Sequence, residues 1–226
     1  MEGLVKAIDP GTVVIPLLNI EVGSSMLVAW GAMVLLILIA VVLRIFVIPK
    51  FKDVPNRFQI LLEMMVDGVR NYTHTNLHKG AEGLAPYVFT VALYIISMGL
   101  TELFGLRPPL ADLSMTAGLA LISFFLIFAY AIRYRGVWGT IKSFGHPKVF
   151  MAPITIITDL VKPLSLACRL FGNMLGGLIV MELLYSVCAP VIPAFFSIYF
   201  DLFHMLMQTY IFLTLTMAFI QEGLER

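Results

Sequence analysis

Charge is scarce in this chain. Asp, Glu, Lys and Arg make up 13% of its 226 residues, against about 25% in a soluble domain. No region is polar enough and long enough to fold alone in water. Cysteine is scarce too, at two residues, Cys168 and Cys188. They fall on or just past one expected helix, about 30 Å apart at about 1.5 Å per residue, which excludes a disulfide between them. Both read as buried apolar fillers. There is no long basic tract and the net charge is +1, so no nucleic-acid partner is expected. Residues 1–19 lack the basic stretch, short apolar core and cleavage site of a signal peptide. No G-x-x-x-x-G-K-[ST] loop occurs, so no nucleotide site is expected in this polypeptide, nor any metal or cofactor.

What is abundant is hydrocarbon. Hydrophobic residues make up 60% of the chain, and the mean hydropathy is +0.94. A length of 226 residues accommodates about five or six membrane spans with short loops. The reading is an all-α, polytopic membrane protein, one integral membrane domain over 1–226. Membrane helices are expected at 26–48, 84–104, 113–132, 153–187 and 191–223. Residues 56–80 differ. Their apolar positions 58, 61, 62, 65, 69 and 72 share one side, with Gln59, Glu63, Asp67, Arg70 and Asn71 on the other. That pattern predicts an amphipathic helix on the membrane surface, capped by Asn56. Asp112 is placed to cap the third span.

The last two segments are too long for a simple crossing. As helices of about 50 Å against a hydrocarbon core of about 30 Å, they must tilt or bend. A turn around 189–193, with Pro190 and Pro193, makes them a hairpin. Lysine and arginine set the orientation. Lys50, Lys52, Arg57, Arg70 and Lys79 come after the first span, and Arg133, Arg135, Lys142 and Lys148 after the third. The opposite loops hold only Lys6 and Arg107. The N-terminus is then outside and the C-terminus cytoplasmic.

Against this background the intramembrane polar residues stand out: Glu102, Asp159, Lys162, Arg169, Asn173, Glu182, Asp201, His204 and Gln208. Arg169 is the most demanding. A guanidinium keeps its proton in a protein, and its cost at a bilayer centre is about 3 kcal/mol on insertion scales and on the order of 10 or more in simulations. It is too central to reach the headgroups. Arg169 and Asn173 are spaced i, i+4, and Asp201, His204 and Gln208 i, i+3, i+7, so each set shares a helix face. With the orientation above, Glu102, Glu182, Asp201 and His204 gather in the outer half of the membrane. Asp159 and Lys162 lie on the inner side of Arg169, either as an ion pair near the interface or as part of an inner path. Gly172 and Gly176 make a small-xxx-small step, suited to close packing against a helix of this chain or of a second protein.

The stretch Lys162-Pro163-Leu164-Ser165-Leu166-Ala167-Cys168-Arg169-Leu170-Phe171-Gly172-Asn173-Met174 closely resembles the signature of subunit a of rotary F-type ATP synthases. Gln208-Thr209-Tyr210-Ile211-Phe212 resembles that family's second C-terminal motif, and Pro109-Leu110-Ala111-Asp112-Leu113-Ser114-Met115-Thr116 also fits. The resemblance implies two long tilted helices against a rotating ring of subunit c, with two offset half-channels for H⁺ or Na⁺. It implies that Arg169 is the essential arginine, Asn173 its neighbour and Gln208 the glutamine facing it. Asp201 takes the position where the family has a histidine or acid of the outer half-channel. One position departs: nine residues after the arginine the family has an acid or histidine, and here stands Leu178, with Glu182 one turn further on the same face. The implied partners are the subunit c ring, the peripheral-stalk subunit b and the rest of the complex, in a bacterial plasma (inner) membrane. The subunit itself would be non-catalytic. A stand-alone secondary transporter is the competing class. It would show inverted repeats and broken helices around a midplane site, and neither is visible. A purely assembly-related subunit, with Arg169 binding lipid or a partner, is the other.

Overall fold

A computed structural model describes residues 12–15, 20–51, 56–77, 81–103, 106, 108–143, 152–187 and 191–225. Lys6, Lys52, Lys79, Arg107, Lys148 and Cys188 lie outside these. So do the side chains of Arg135, Lys142 and Asp201.

Two short strands come first. β1 (Thr12–Ile15) pairs antiparallel with β2 (Ile20–Gly23), Ile15 opposite Ile20 and Thr12 opposite Gly23. The sequence reading has no strand here. Thr12-Val13-Val14-Ile15 is β-branched throughout, a composition that suits a pleated ribbon better than a helix. Among the described residues the remaining regular elements are helices, and five of them are long and apolar enough to cross a membrane. The fold is an all-α, multi-pass membrane architecture with one added hairpin.

Helix α1 (Ser24–Val42) runs on through a π turn (Leu43–Val47) and a 3₁₀ turn (Ile48–Lys50), giving one apolar segment of 27 residues. Pro49 accounts for the irregular end, because it lacks an N–H and its ring crowds the preceding turn. Only Ser25, Ala29 and Ala32 of α1 are buried, while Val34, Leu38 and Ile45 point away from the protein. Helix α2 (Arg57–Asn76) is the amphipathic one. Asn56 caps it as expected, its Oδ1 accepting the Arg57 N–H at 2.8 Å. The far end of α2 docks on the bundle: Thr73 and Leu77 are buried. The Tyr72 hydroxyl bonds the Thr214 hydroxyl, and the Tyr72 ring lies 5.8 Å from that of Tyr210. Burial raises the pKa of the Tyr72 phenol above its ordinary value.

Helices α3 (Ala81–Leu103), α4 (Leu113–Ser143), α5 (Ala152–Val187) and α6 (Val191–Glu225) form the body. Helix α4 outruns the expected end at 132. Its apolar window stops at Arg133, but the helix continues to Ser143 across a break at Gly136, whose φ is +73°. Hydropathy marks where the membrane would end, not where helical hydrogen bonding ends. Gly136 supplies a left-handed conformation that a side chain would resist. Helix α6 starts at Val191, so Pro193 lies in its first turn rather than in the connection. At the start of α4 the Asp112 carbonyl accepts the Thr116 N–H at 3.2 Å, and its carboxylate accepts the Ser114 hydroxyl at 3.3 Å.

The α5–α6 hairpin is the structural axis. With 36 and 35 residues, each helix is roughly 50 Å long at about 1.5 Å per residue. Helix α3 packs on α6, and α4 packs on both α5 and α6. The core is read from spacing: Leu84, Val88, Val91, Ile95 and Met98 on α3, Leu166, Leu170 and Met174 on α5, and Phe212, Met217 and Ile220 on α6 are all buried. Buried hydroxyls return to their own helix, Ser123 to the Leu119 carbonyl, Thr209 to Met205 and Thr216 to Phe212. These three hydroxyls need no water.

At Gly99, α3 receives the Met205 side chain of α6. A Cβ at Gly99 would sit 2.6 Å from Met205 Cγ and 3.0 Å from Met205 Cβ, near the stiff root of that side chain. Gly99→Leu is therefore expected to destabilise the protein by about 1–3 kcal/mol, in the range for overpacking, with partial recovery when combined with Met205→Ala. Thermal unfolding of the detergent-solubilised protein measures this. A Gly99→Leu protein as stable as the parent would contradict the packing described.

Candidate functional site

The site is built where α5, α6 and the end of α3 meet. On α5, Val161, Leu164, Cys168, Arg169, Gly172, Val180 and Leu183 are exposed or open outward, while Leu166, Leu170 and Met174 face the core. Arg169 thus lies on the outward, otherwise apolar stripe. It makes no ion pair or hydrogen bond with any described residue. A permanent charge on a membrane-spanning helix, unmatched by the described residues, leaves room for a counter-charge from elsewhere. Cys168 is exposed on the same stripe. The expectation of a buried filler is corrected: one residue of register moves it off the core face that Ala167 occupies.

Gly172 and Gly176 continue that stripe. A Cβ built on either meets nothing within 4 Å. Among the described residues no other helix packs against either position. They leave open space along α5.

Asn173 lies between the stripe and the core. Its Nδ2 donates to Gln208 Oε1 across the hairpin. Gln208 is 1% exposed, and this bond satisfies part of an amide that could not otherwise be buried in apolar surroundings without a penalty of about 1–3 kcal/mol. The i, i+4 relation of Arg169 to Asn173 places the guanidinium one turn away from the pair.

Next to this pair opens a cavity of about 240 Å³, lined by Glu102 from α3, by Gly172, Asn173, Gly176 and Gly177 among others from α5, and by His204 from α6. Glu102, Glu182 and His204 were three of the titratable groups expected to gather. The structure brings Glu102 and His204 together. Glu182, beyond Met181, does not line the cavity. Helix α6 carries Asp201 one turn before His204, toward the Glu182 end of α5.

A second cluster lies at the other end of the hairpin. Lys162 Nζ is 2.8 Å from Asp159 Oδ1 and 2.8 Å from Glu222 Oε2. It also stands 5.3 Å above the Phe219 ring. Asp159 and Lys162 do form the i, i+3 pair considered from the sequence. Glu222 was missed. Its partner Lys162 lies on another helix, and no local spacing pointed to it. Among the described residues the cluster joins two carboxylates to the Lys162 ammonium. It ties the first turns of α5 to the last turns of α6.

Among the described residues no group of three or more His, Cys, Asp or Glu side chains could hold a metal ion. What the arrangement offers instead is a line of polar groups along the α5–α6 hairpin, joined at one end by Glu102 of α3: carboxylates and an ammonium at one end, a guanidinium that the described residues leave unmatched and an amide pair in the middle, a carboxyl and an imidazole around a cavity beyond.

Comparison with known proteins agrees with the motifs. Residues 26–221 match the ATP synthase A chain family. The chain is 40% identical over 119 residues to "ATP synthase subunit a, sodium ion specific" of Propionigenium modestum, a match spanning 53% of this chain and only 41% of that protein. It is 34% identical over 169 residues to ATP synthase subunit a 2 of Acaryochloris marina, covering 73% of this chain and 70% of the relative. It is 30% identical over 210 residues to ATP synthase subunit a 2 of a Picosynechococcus species, covering 90% and 87%. With the family match spanning nearly all of the helical body, from the first membrane helix to the last turns of α6, the chain belongs to the ATP synthase A chain family, the a subunits of the enzyme's membrane sector.

Proposed function

We propose that this subunit is the stator half of a rotary ion motor, and that Arg169 couples ion flow to rotation of a subunit c ring. The observation that carries the reading is the exposed Arg169 on an apolar stripe, with no counter-charge among the described residues of its own chain. A moving carboxylate on a neighbouring ring supplies that counter-charge. At about 4 Å and an effective dielectric of about 20 the attraction is roughly 4 kcal/mol. It favours the ionised carboxylate and so promotes release of its ion. The same fixed charge repels a cation crossing directly from one half-channel to the other.

The bare faces at Gly172 and Gly176 let a ring helix approach α5 closely. The loops rich in lysine and arginine face the cytoplasm, which puts the Glu182 end of α5 outside. The outer half-channel is entered past Glu182 and Asp201 and continues along Glu102 and His204 to the level of Asn173 and Gln208. The ion neutralises a ring carboxylate, which then turns through lipid. It leaves by an inner half-channel bordered by Asp159, Lys162 and Glu222, a reading supported by their ion pairing at that end of the hairpin. The driving force is about 2.3 kcal/mol per charge per 100 mV. The partners of this reading are the subunit c ring, the peripheral-stalk subunit b and the remaining complex, in a bacterial inner membrane with the N-terminus outside. The ATP chemistry belongs to other subunits.

Arg169→Ala is expected to abolish ion-driven ATP synthesis in membranes while the complex still assembles, as judged by co-purification of its subunits. Synthesis at the parental rate would refute the coupling role. Asp201→Asn and Glu182→Gln, which remove charge and keep shape, are each expected to slow ion entry from the outer side by about tenfold or more, within the usual range for a positioned proton-transfer group. Rates of synthesis under an imposed ion gradient measure this. Parental rates in both variants would move the outer entrance elsewhere.

A further inference from the structure

The Tyr72 hydroxyl links the surface helix α2 to α6, and the direction of the bond follows from the residue that receives it. The Thr214 hydroxyl has one proton, which it donates to the Tyr210 carbonyl at 2.8 Å. The Tyr72 phenol therefore donates to Thr214 Oγ1. This chain of bonds ends on the α6 backbone, through a β-branched side chain whose first torsion is stiff. The Tyr72 ring also lies against that of Tyr210, with 5.8 Å between centroids. Such a link holds a helix and not merely a side chain.

On α2, Tyr72 stands in a braced turn. Thr73 Oγ1 donates to the Val69 carbonyl and Asn76 Nδ2 to that of Tyr72. Thr73 and Leu77 are buried there, whereas Phe58, Leu61 and Met64 nearer the helix start are exposed. Helix α2 packs on α3 as well as on α6, so Tyr72 is tied to the body of the bundle. On α6, Thr214 lies well inside the apolar stretch Leu202–Gly223. From Gln208 it is six residues on, about 9 Å along the axis and about 240° around it at 3.6 residues per turn. Tyr210 is about 200° around from Gln208 by the same spacing. Gln208 itself is bonded to Asn173 of α5. Helix α6 is thus gripped on two sides and at two heights, by α5 at Gln208 and by α2 at Tyr210 and Thr214. Turning α6 about its own axis stretches both grips.

We propose that Tyr72 is a positioning residue that stops α6 from rolling about its axis, and so keeps Gln208 turned toward Asn173 while a neighbouring ring turns. The proposal rests on the stator reading above and adds to it a part for the surface helix. A ring helix moving past the hairpin drags on its surface and tends to roll the helix it touches. The Gln208–Asn173 bond opposes that roll through two side-chain amides on one side only. The Tyr72 link opposes it from the far side, at a different height, and passes the load to α2 and α3. When the link opens, α6 turns, the amide pair separates, and a polar gap opens one turn from Arg169. Ions then cross without turning the ring.

The test uses inverted membrane vesicles holding the whole complex, with ATP synthesis driven by an imposed ion gradient and ion uptake recorded alongside. Tyr72→Phe keeps the ring beside Tyr210 and removes the donor. Thr214→Val keeps shape and removes the acceptor, and Thr214→Ser keeps the acceptor. Ion flux unaccompanied by ATP is expected to rise about two- to twelvefold in Tyr72→Phe and in Thr214→Val, the equivalent of one hydrogen bond of roughly 0.5–1.5 kcal/mol at about 1.4 kcal/mol per tenfold. The double variant rises no further, because either change removes the same bond, and Thr214→Ser stays at the parental value. Fewer assembled complexes lower synthesis and flux together and leave the ATP formed per ion unchanged, so this ratio separates positioning from packing. A parental ratio in assembled Tyr72→Phe overturns the proposal. So does a loss in Thr214→Ser equal to that in Thr214→Val, or losses that add in the double variant. If Tyr72→Phe fails to assemble, the Thr214→Val ratio alone decides. Arg169→Ala in the same vesicles separates the two levels: an inactive Arg169 variant beside a normally coupled Tyr72→Phe removes the grip only, whereas an Arg169 variant that makes ATP at the parental rate removes the stator reading.

Discussion

An arginine that cannot be discharged, on a membrane-spanning helix that does not neutralise it, is the constraint around which this molecule is arranged. Guanidinium solvation in hydrocarbon is so unfavourable that the charge must be met by a partner or by water. The fold does not bury Arg169 in its own core. Leu166, Leu170 and Met174 take the core positions of α5, and Arg169 is left on the outside of the bundle. The hairpin of α5 and α6 carries that outward stripe and packs on α3 and α4 behind it.

The polar groups divide according to what each needs. Gln208 is buried and is satisfied by Asn173. Lys162 is nearly buried and is satisfied by Asp159 and Glu222, with the Phe219 ring beneath it. These are groups that the fold has neutralised, and both pin α5 to α6, one near mid-helix and one at the end. His204 Nε2 and the Arg169 guanidinium are different in that the described residues leave them unmatched. The glycines fit the same division. Gly99 admits Met205 and closes the α3–α6 contact, whereas Gly172 and Gly176 face open space.

The membrane helices were legible because each is a long apolar run, and 20-odd apolar residues leave little alternative to a spanning helix. The surface helix was legible from period 3.6 and its Asn56 cap. The end of α4 was not, since the chain from Arg133 onward stops being apolar without ceasing to be helical. The β1–β2 hairpin was not, since a single pair of four-residue strands has no long-range pattern to betray it. Among site residues, Arg169, Asn173 and Gln208 were read from motif and spacing. Their mutual geometry was half-legible: the glutamine was expected to face the arginine, and its bond goes to Asn173. Glu222 was missed because its partner lies on another helix, 60 residues back in the sequence, and no local rule joins them. The exposure of Cys168 could not be fixed without the register of α5 against the core.

The most direct measurement is the position of the Arg169 guanidinium in the assembled membrane complex, determined at a resolution that shows side chains. The account predicts a carboxylate of a neighbouring ring subunit within about 4–6 Å of it, the range over which an opposite charge shifts a pKa, with ring helices lying against Gly172 and Gly176. A guanidinium directed into lipid headgroups, with no ring helix beside α5, would contradict it.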